Sequence, residues 1–210
     1  MKDNYSVRRI KKDIGRPFIV EHHYAKGCHA NPSPIYGLFE DENLIGVLMI
    51  ANPCSENVKK SIFGLELKDK VRELHRLAII DDTPKNTESW FISRVLKKLR
   101  EDRPDLWGIV SFADTTIKHE GVIYQATNAI YYGKSAKSTF YLDGDRLRHP
   151  RQNGVNISQK VAKSRGWIPV KREAKNRYLY ILGDKRQRKE RKKLIIIESQ
   201  DYPKRILQTA

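Results

Sequence analysis

Residues 107–133, WGIVSFADTTIKHEGVIYQATNAIYYG, contain the pattern that decides the fold. They open with an apolar run of strand length that ends at Phe112, and a polar break follows at residues 113–118. Apolar side chains then recur at three- and four-residue spacings, which predicts a helix. These side chains are Val122, Ile123, Ala126, Ala129 and Ile130. The stretch therefore predicts a strand, a turn and a helix.

Polar side chains cluster where this strand and helix meet. Asp114 falls at the end of the strand and His119 at the start of the helix. Tyr124 and Asn128 are four residues apart and are predicted to share one helix face. Because open α/β sheets bind ligands beyond the carboxyl ends of their strands, this junction is a candidate site. The alternative is a buried strand before a capped helix, since Asp114 is also a good N-cap residue.

Length and composition predict one globular domain. The chain has 210 residues, of which 39% are hydrophobic, and we place the domain at residues 1–183 and a basic tail at 184–210. No apolar run approaches the roughly 20 residues of a membrane span, and the N-terminus lacks the apolar core of a signal peptide. Cys28 and Cys54 offer neither a disulfide framework nor a paired zinc signature. An intracellular protein without a membrane partner is expected.

The positive charge of the chain is concentrated in its last third. Lys and Arg number 41 against 25 Asp and Glu, a net charge of +16. Residues 145–193 alone carry 17 basic and 4 acidic side chains, and residues 145–183 form the strongly basic part of the domain. A polycation attracts a polyanion by releasing condensed counterions. Nucleic acid is therefore the expected partner, and a basic surface kept for solubility is the alternative.

Strands and helices are predicted along the rest of the chain from apolar periodicity. The predicted strands are residues 5–12, 35–40, 43–51, 71–80, 131–142 and 176–182, with 35–51 forming a hairpin. Helices are predicted at 16–24, beginning near Pro17, and at 157–165. Another helix is predicted with Thr83 as N-cap and Pro84 in its first turn. Residues 52–69 are predicted to be a surface loop with a weak helical turn, and residues 185–193 to be helical or disordered until they meet a polyanion.

Three further features suggest binding chemistry. His22, His23 and Tyr24 end the first predicted helix and are candidate metal ligands, although histidines at a helix end are also favoured by the helix dipole. Arg76 lies inside a predicted central strand and requires an acidic or phosphate partner there. The first turn of the helix after this strand, residues 84–89, offers backbone N–H groups to a phosphate or carboxylate.

The order of these elements resembles the GNAT fold of N-acetyltransferases, and five motifs make the resemblance specific. They are EHHY at 21–24, ELHRLAI at 73–79, NTESW at 86–90, SFAD with HEGVIYQATN within 111–128, and YPK at 202–204. In these motifs, across most of its length, the chain resembles the phage Mom family. Proteins of that family convert adenine in phage DNA to a carbamoylmethylated form that resists host restriction.

The resemblance implies an α+β, GNAT-like fold: a mixed, mostly antiparallel sheet flanked by helices, with a basic C-terminal extension. It also implies a transferase that acts on double-stranded DNA in the cytoplasm of the host cell. Iron is an implied cofactor, with His23, Tyr24, Asp114 and Tyr124 at the positions of its ligands. Asp114, Tyr124 and Arg76 are the implied catalytic residues. A homodimer is allowed by the sequence.

The donor of the transferred group stays open at the sequence level. Ordinary acetyltransferases have a glycine-rich loop for the pyrophosphate of coenzyme A, whereas residues 82–89 contain no glycine, which makes a close backbone approach to a pyrophosphate doubtful. An acyl-coenzyme A and another glycine-derived donor are both expected candidates. The predicted donor-binding residues are Lys85, Asn86, Thr87, Ser89 and Asn128.

We expect adenine to flip out of the duplex into the cleft near Asp114 and Tyr124. Asn128 is predicted to read the edge of the flipped base, and Tyr131 or Tyr132 to stack on it. Asp114 is either an iron ligand, which the resemblance favours, or the general base. Two other functions remain open: an ordinary N-acetyltransferase that uses acetyl-coenzyme A, and a DNA-binding protein without catalysis.

Overall fold

Seven strands form a central sheet in the computed structural model, which describes residues 4–53, 55–152 and 155–203. The twelve strands of these residues are β1 (Tyr5–Arg9), β2 (Ile35–Glu40), β3 (Asn43–Ala51), β4 (Val71–Ile79), β5 (Gly108–Ala113), β6 (Ile130–Lys134), β7 (Ser138–Asp143), β8 (Arg146–Arg148), β9 (Arg151–Gln152), β10 (Val155–Asn156), β11 (Ile168–Arg172) and β12 (Asn176–Ile181). The helices are α1 (Lys12–His22), α2 (Glu56–Phe63), α3 (Thr87–Asp102), α4 (Val122–Gln125), α5 (Gln159–Ser164) and α6 (Lys185–Lys193). None of these helices has the length and apolar character needed to cross a membrane.

The strand order of the central sheet is β1-β2-β3-β4-β5-β12-β6. Every neighbouring pair in it is antiparallel except β4 and β5, which run parallel. Three helix-and-strand clusters bury the two faces of this sheet, the largest with Phe91, Val95 and Leu99 of α3 at its centre. The predicted α+β architecture, a mixed and mostly antiparallel sheet flanked by helices, is confirmed.

The parallel pair opens the space in which the site lies. β4 and β5 are paired only where they begin, at Val71 with Gly108 through Glu73 with Val110. β4 then continues to Ile79 along β3, and β5 continues to Ala113 along β12. The carboxyl halves of these two neighbouring strands are therefore unpaired with each other, and a gap forms between them.

Three helix predictions need correction. α1 begins at Lys12 and contains Pro17 in its interior. Its Gly15 packs closely on the hairpin, where a Cβ would lie 2.9 Å from a methyl group of Ile35. The predicted loop at 52–69 contains α2, whose N-cap Ser55 accepts a hydrogen bond from Asn57 N–H at 3.2 Å. The helix predicted from Thr83 begins only at Thr87.

The helix predicted over residues 122–130 is also shorter than its pattern. α4 ends at Gln125, and Asn128 has a φ of +59°, so the prediction that Tyr124 and Asn128 share a helix face is wrong. Ala129 is buried in the turn that follows, and Ile130 begins β6. Ala129 and Ile130 match the apolar spacing of a helix because they pack on the core, but they do so from the turn and from β6.

The strand predicted at 131–142 is two strands in two sheets. β6 belongs to the central sheet, whereas β7 lies between β8 and β11 in a three-stranded sheet. The small sheet, together with β9, β10 and α5, forms an insert between β6 and β12 that we call the basic insert, residues 135–175. The chain then returns to the central sheet as β12, between β5 and β6.

The predicted tail packs back on the domain as far as residue 203. Arg191 of α6 donates to Leu182 O at 2.7 Å, and Ile196 N–H donates to Ile62 O at 3.0 Å. The Tyr202 hydroxyl donates to Ala129 O at 2.8 Å, just after α4. The domain boundary at residue 183 stays a prediction, and residues 204–210, with Lys204 of the YPK motif, lie outside the described residues.

Candidate active site

A cavity of about 540 Å³ fills the gap between the carboxyl halves of β4 and β5. We call it the reactive cavity. The end of α1, the whole carboxyl half of β4 and the connection from β5 to α4 contribute to its walls. All five residues that were predicted as catalytic or iron-binding line it: His23, Tyr24, Arg76, Asp114 and Tyr124. The structure therefore brings together side chains that are as much as 101 positions apart in the sequence.

Asp114 is a buried carboxylate that is already fully paired. Its side chain is 4% exposed, Oδ1 accepts the Thr116 N–H at 3.1 Å, and Oδ2 accepts a hydrogen bond from Arg172. The Lys175 ammonium lies 3.9 Å from Oδ2. Burial alone would raise the pKa of Asp114, but the Thr116 N–H and the charges of Lys175 and Arg172 outweigh it, so the pKa lies below its ordinary value. Asp114 is thus ionised at neutral pH.

His23 is a buried and neutral imidazole. Burial, followed by the positive charge of Arg76, lowers its pKa to about 4. Its Nδ1 accepts the Ala25 N–H at 3.0 Å, so in the neutral ring the proton is on Nε2. At the cavity, His23 is therefore a hydrogen-bond donor.

Tyr24 gives the cavity an accessible aromatic wall. Its ring stacks on His23 with centroids 4.3 Å apart, and its other contact is the edge of His119 at 5.7 Å. The side chain is still 53% exposed. Burial of the hydroxyl and the negative charge of Asp114 raise the pKa of Tyr24, so it is a neutral phenol on a half-exposed side chain.

Tyr124 lies at the inner end of the cavity. It is buried, and burial raises the pKa of its hydroxyl to about 12, against a smaller opposite effect of the Ser111 hydroxyl beside it. Tyr124 therefore keeps its proton at neutral pH. It can donate one hydrogen bond to a bound ligand and accept another.

Among the described residues Arg76 has no carboxylate partner, so of the two partners expected from its strand position a phosphate stays a prediction. Its Nε donates to Gly27 O at 2.8 Å, and one terminal nitrogen donates to His75 O at 2.7 Å. The guanidinium thus ties the loop after α1 to β4. Because that loop follows His23 and Tyr24 directly, Arg76 positions them as well as lining the cavity.

The predicted donor-binding residues lie mainly in an adjoining cavity of about 390 Å³, which we call the loop cavity. Lys85, Asn86 and Ser89 line it. Thr87 is fully buried instead, and its hydroxyl donates to Pro84 O at 2.6 Å. The two cavities are neighbours, since four residues line both: Ile79, Glu88, Val122 and Ile123.

Asn128 and the predicted stacking residues lie elsewhere. Asn128 lines a third cavity, between α3 and α6, and has no place in the reactive cavity. Tyr131 and Tyr132 are 6% and 3% exposed and are packed in the core. None of these three residues is placed to read or stack on a base near Asp114, because Asn128 follows the end of α4 and the tyrosines lie on β6.

The iron ligands implied by the resemblance surround one space, but their donor atoms do not fit a metal ion as they are arranged. Both oxygens of Asp114 accept hydrogen bonds from the protein, and His23 presents a proton rather than a lone pair. Among the described residues, no three His, Cys, Asp or Glu side chains cluster as a metal site. An ion would have to displace Arg172 and reverse the tautomer of His23.

Two cations at the site were not identified from the sequence. Arg172 and Lys175 come from the end of the basic insert, 58 and 61 positions after Asp114. They were counted only as part of the basic segment, because nothing in their local pattern marks them as partners of a strand end. Glu73 and His75 on β4 also line the cavity, and His75 Nε2 accepts the His29 N–H at 2.9 Å.

Comparisons with known proteins agree with the family resemblance. A sequence model of the Mom protein family matches residues 4–204. The methylcarbamoylase mom of Escherichia phage Mu is 31% identical over 206 residues, which cover 94% of this chain and 83% of the phage Mu protein.

Solved structures of acetyltransferases are also similar to this chain. An N-acetyltransferase from Staphylococcus aureus Mu50 has 12% identity and a TM-score of 0.47, with 86% of this chain and 100% of that chain covered. An acetyltransferase from Bacillus subtilis, in complex with CoA, has 11% identity and a TM-score of 0.45, with 85% and 99% covered. The fold class rests on the sheet described above rather than on these scores.

Proposed function

Because this chain belongs to the Mom protein family, we propose that it is a transferase that carbamoylmethylates N6 of adenine in double-stranded phage DNA. The modification protects the DNA from host restriction, and the enzyme acts in the cytoplasm of the host cell. The observation that carries this proposal is the reactive cavity, in which His23, Tyr24, Asp114 and Tyr124 converge. Asp114 alone would also suit a protein without catalysis, because it caps the turn at Thr116 and pairs with Arg172; the convergence of the four side chains on one cavity is what favours an enzyme.

The adenine enters the cavity only after it has left the base stack. N6 of a paired adenine lies inside the duplex, and enzymes that act on such atoms rotate the nucleotide outward at a cost of a few kcal/mol. Tyr24 provides the stacking surface for the extruded base, since its ring lines the cavity and the side chain is about half exposed. It takes the role that the sequence assigned to Tyr131 or Tyr132.

The hydrogen-bonding groups of the cavity fit a neutral base and a donor with a carbonyl group. His23 donates from Nε2, and Tyr124 both donates and accepts. As N6 attacks the methylene carbon of a donor that carries both the carbamoyl group and a leaving group on that carbon, the new N–C bond forms, the bond to the leaving group breaks and its electron pair departs with that group, and N6 becomes cationic. Asp114 then takes the N6 proton, which suits a carboxylate of low pKa because a cationic nitrogen is a strong acid.

The donor is proposed to bind at the loop cavity, which adjoins the reactive cavity beside Val122 and Ile123. An acyl-coenzyme A and another glycine-derived donor both stay candidates, and the attack on a methylene carbon applies to a donor with its leaving group on that carbon. Iron has no step in this mechanism, because two of the implied ligands, Asp114 and His23, are engaged with Arg172, Thr116 and Ala25. The homodimer stays a prediction.

Duplex DNA is proposed to bind across the basic insert and the outer face of α6. The insert presents exposed cations on α5 and the small sheet, among them Arg146, Lys160, Lys163, Arg165 and Lys171. Arg148 and Arg165 lie over the Trp167 ring at 5.6 and 5.0 Å. Since Arg172 and Lys175 end the insert beside Asp114, DNA bound there is adjacent to the reactive cavity.

Nucleoside mass spectrometry tests the proposed function. DNA from cells that express the protein is digested and compared with DNA from cells that carry the empty vector. We expect a deoxyadenosine with the mass of the carbamoylmethyl form in the first sample alone. Unmodified adenine in cells from which the protein is recovered folded and able to bind DNA contradicts the proposal. Tight acetyl-coenzyme A binding with no effect of DNA would then support an ordinary acetyltransferase.

A further inference from the structure

A strongly basic cavity of about 620 Å³ lies between α3 and α6, which we call the α3–α6 cavity. This cavity and Asp114 lie at opposite ends of β12. Asn176, at the start of the strand, pairs with Ala113, the residue before Asp114, whereas Leu179–Leu182 line the α3–α6 cavity. The five-residue rise along the strand separates the two ends by about 17 Å. Six cations line the cavity: Lys97, Arg100, Lys185, Arg188, Lys189 and Lys192.

These cations are placed by helix periodicity. The four from α6 are spaced i, i+3, i+4 and i+7, so they form one face of that helix. Lys97 and Arg100 are three apart on the facing side of α3, and Arg100 is oriented by its hydrogen bond to Gly183 O at 3.2 Å. Two basic helix faces are thus directed at the same space.

The acidic residues near these helices are directed away from the cavity. No carboxylate is among its described lining residues. Asp184 caps the Gln187 N–H at 2.8 Å, and Glu190 binds Lys193 at 2.8 Å on the outer side of α6. Glu101 and Asp184 line a different cavity, on the other side of Arg100. Arg100 is half-buried and the other five cations are exposed. Like charges that face each other repel, so an anion bound between them would be stabilised by all six.

The shape of the cavity favours a compact anion over a duplex. A volume of this order is typical of small-molecule sites, and a duplex carries its phosphates on a convex surface that cannot enter it. The rest of the wall is mixed, with Ser93 and Asn128 as polar groups and Leu96 and Ile130 as apolar ones. Such a wall suits the sugar and base of a nucleotide next to its phosphates.

The α3–α6 cavity adjoins the loop cavity along α3. Ser89 lines the loop cavity, and Ser93, about 5–6 Å further along the helix, lines the α3–α6 cavity. The loop cavity itself is a poor phosphate site, because Asp81 and Glu88 line it together with Lys85. An elongated ligand with its phosphates between α3 and α6 can therefore extend toward the reactive cavity.

We propose that the α3–α6 cavity binds the phosphate groups of a small nucleotide-type ligand, whose uncharged end extends along α3 toward the reactive cavity. This proposal rests on the proposed function only in identifying that ligand with the donor. It places the phosphates on cations of α3 and α6 instead of on the connection between β4 and α3. It also gives Asn128 a role at the nucleotide rather than at the adenine of the DNA.

Calorimetric titration with inorganic pyrophosphate and with ADP tests the proposal, using the full chain at 150 mM salt, that is, about physiological ionic strength. One variant combines Arg188→Gln and Lys192→Gln, which removes two cations of the cavity. The matched variant combines Arg186→Gln and Lys193→Gln, which removes the same charge from the same helix outside the cavity. We expect one saturable site, a loss of affinity of at least about tenfold in the first variant, and a change within about twofold in the second.

Three results would overturn the proposal. They are no saturable binding of either probe to the wild type, equal losses in the two variants, and weaker binding of ADP than of pyrophosphate. A first variant that loses affinity for duplex DNA while neither probe binds would assign the cavity to the duplex instead. Nucleoside mass spectrometry does not enter this test, so a failure of the proposed function and a failure of this proposal are distinguishable.

Discussion

Arg172, at the end of β11, forms a salt bridge with the buried carboxylate of Asp114, at the end of β5. The pair joins the basic insert to the reactive cavity across 58 positions of sequence. Together with the Thr116 N–H and the charge of Lys175, it keeps the pKa of Asp114 below its ordinary value in a place where burial alone would favour the neutral acid. The surface proposed to bind DNA is thus in direct contact with the proposed proton acceptor, through Arg172.

Arg172→Gln is expected to lower the free energy of unfolding by about 3 kcal/mol, because it leaves a buried carboxylate without its main partner. Lys175 and the Thr116 N–H remain nearby and keep the loss at the lower end of the usual range. Urea unfolding measures the change. Arg148→Gln is the matched control, since its salt bridge with Asp143 lies on the same small sheet but is more exposed; it should cost under about 1 kcal/mol. Equal losses would contradict the role of the buried pair.

Stability should fall between about pH 6.5 and pH 4 because of His23. The pKa of His23 is lowered from 6.5 to about 4 in the folded protein. In that interval the unfolded chain takes up the proton and the folded chain does not, so the free energy of unfolding decreases as the pH falls. Replacing His23 with Asn should flatten this dependence, measured by urea unfolding across the interval. His22→Asn, at the exposed neighbouring position, is the control, and an identical flattening there would refute the assignment.

Tyr24→Ala should weaken capture of the flipped adenine, since stacking of a base on an aromatic ring contributes about 1–3 kcal/mol. The loss corresponds to roughly five- to 150-fold in the concentration of DNA needed for half-maximal modification. Tyr24→Phe keeps the ring and should stay near wild type. A duplex with 2-aminopurine at the target position reports the extrusion directly by its fluorescence. Complete loss of modification in Tyr24→Phe would show that the hydroxyl, not the ring, is what matters.

Replacing Arg186 and Lys193, on the outer face of α6, with neutral residues should weaken DNA binding for every sequence tested and flatten its salt dependence. Each phosphate contact contributes about 0.9 to the slope of log affinity against log salt concentration. Titration of a labelled duplex at several salt concentrations measures the slope. Neutralising Lys11 and Lys12, near the start of α1, provides the comparison at a distant exposed position. An unchanged slope in the α6 variant would remove that helix from the DNA-binding surface.

Local periodicity predicted the elements that form the core but not their ends. The hairpin of β2 and β3 and the buried stripe of Phe91, Val95 and Leu99 follow from apolar spacing alone. The end of α4 does not follow from that spacing. The helix stops at Gln125, Asn128 has a φ of +59°, and Ala129 is buried in the core although it lies outside the helix. The helical pattern there describes burial rather than the path of the backbone.

The candidate site was predictable only in part, for a physical reason. Only the family resemblance indicated that the HHY and SFAD motifs belong to one site. By itself, HHY is equally typical of a helix end, and SFAD of a strand followed by a capped turn. Arg172 and Lys175 reach Asp114 through a three-stranded sheet whose position no local pattern specifies. Long-range ion pairs of this kind depend on the complete fold.

The most direct test of the account compares adenine modification by the wild type and by Asp114→Ala. Both proteins are expressed in the same cells, the DNA is digested, and the nucleosides are quantified by mass spectrometry, while the purified proteins are assayed for binding to a labelled duplex. The account predicts carbamoylmethylated deoxyadenosine with the wild type, none with Asp114→Ala, and DNA binding by both proteins. Modification by Asp114→Ala at the wild-type level would contradict it.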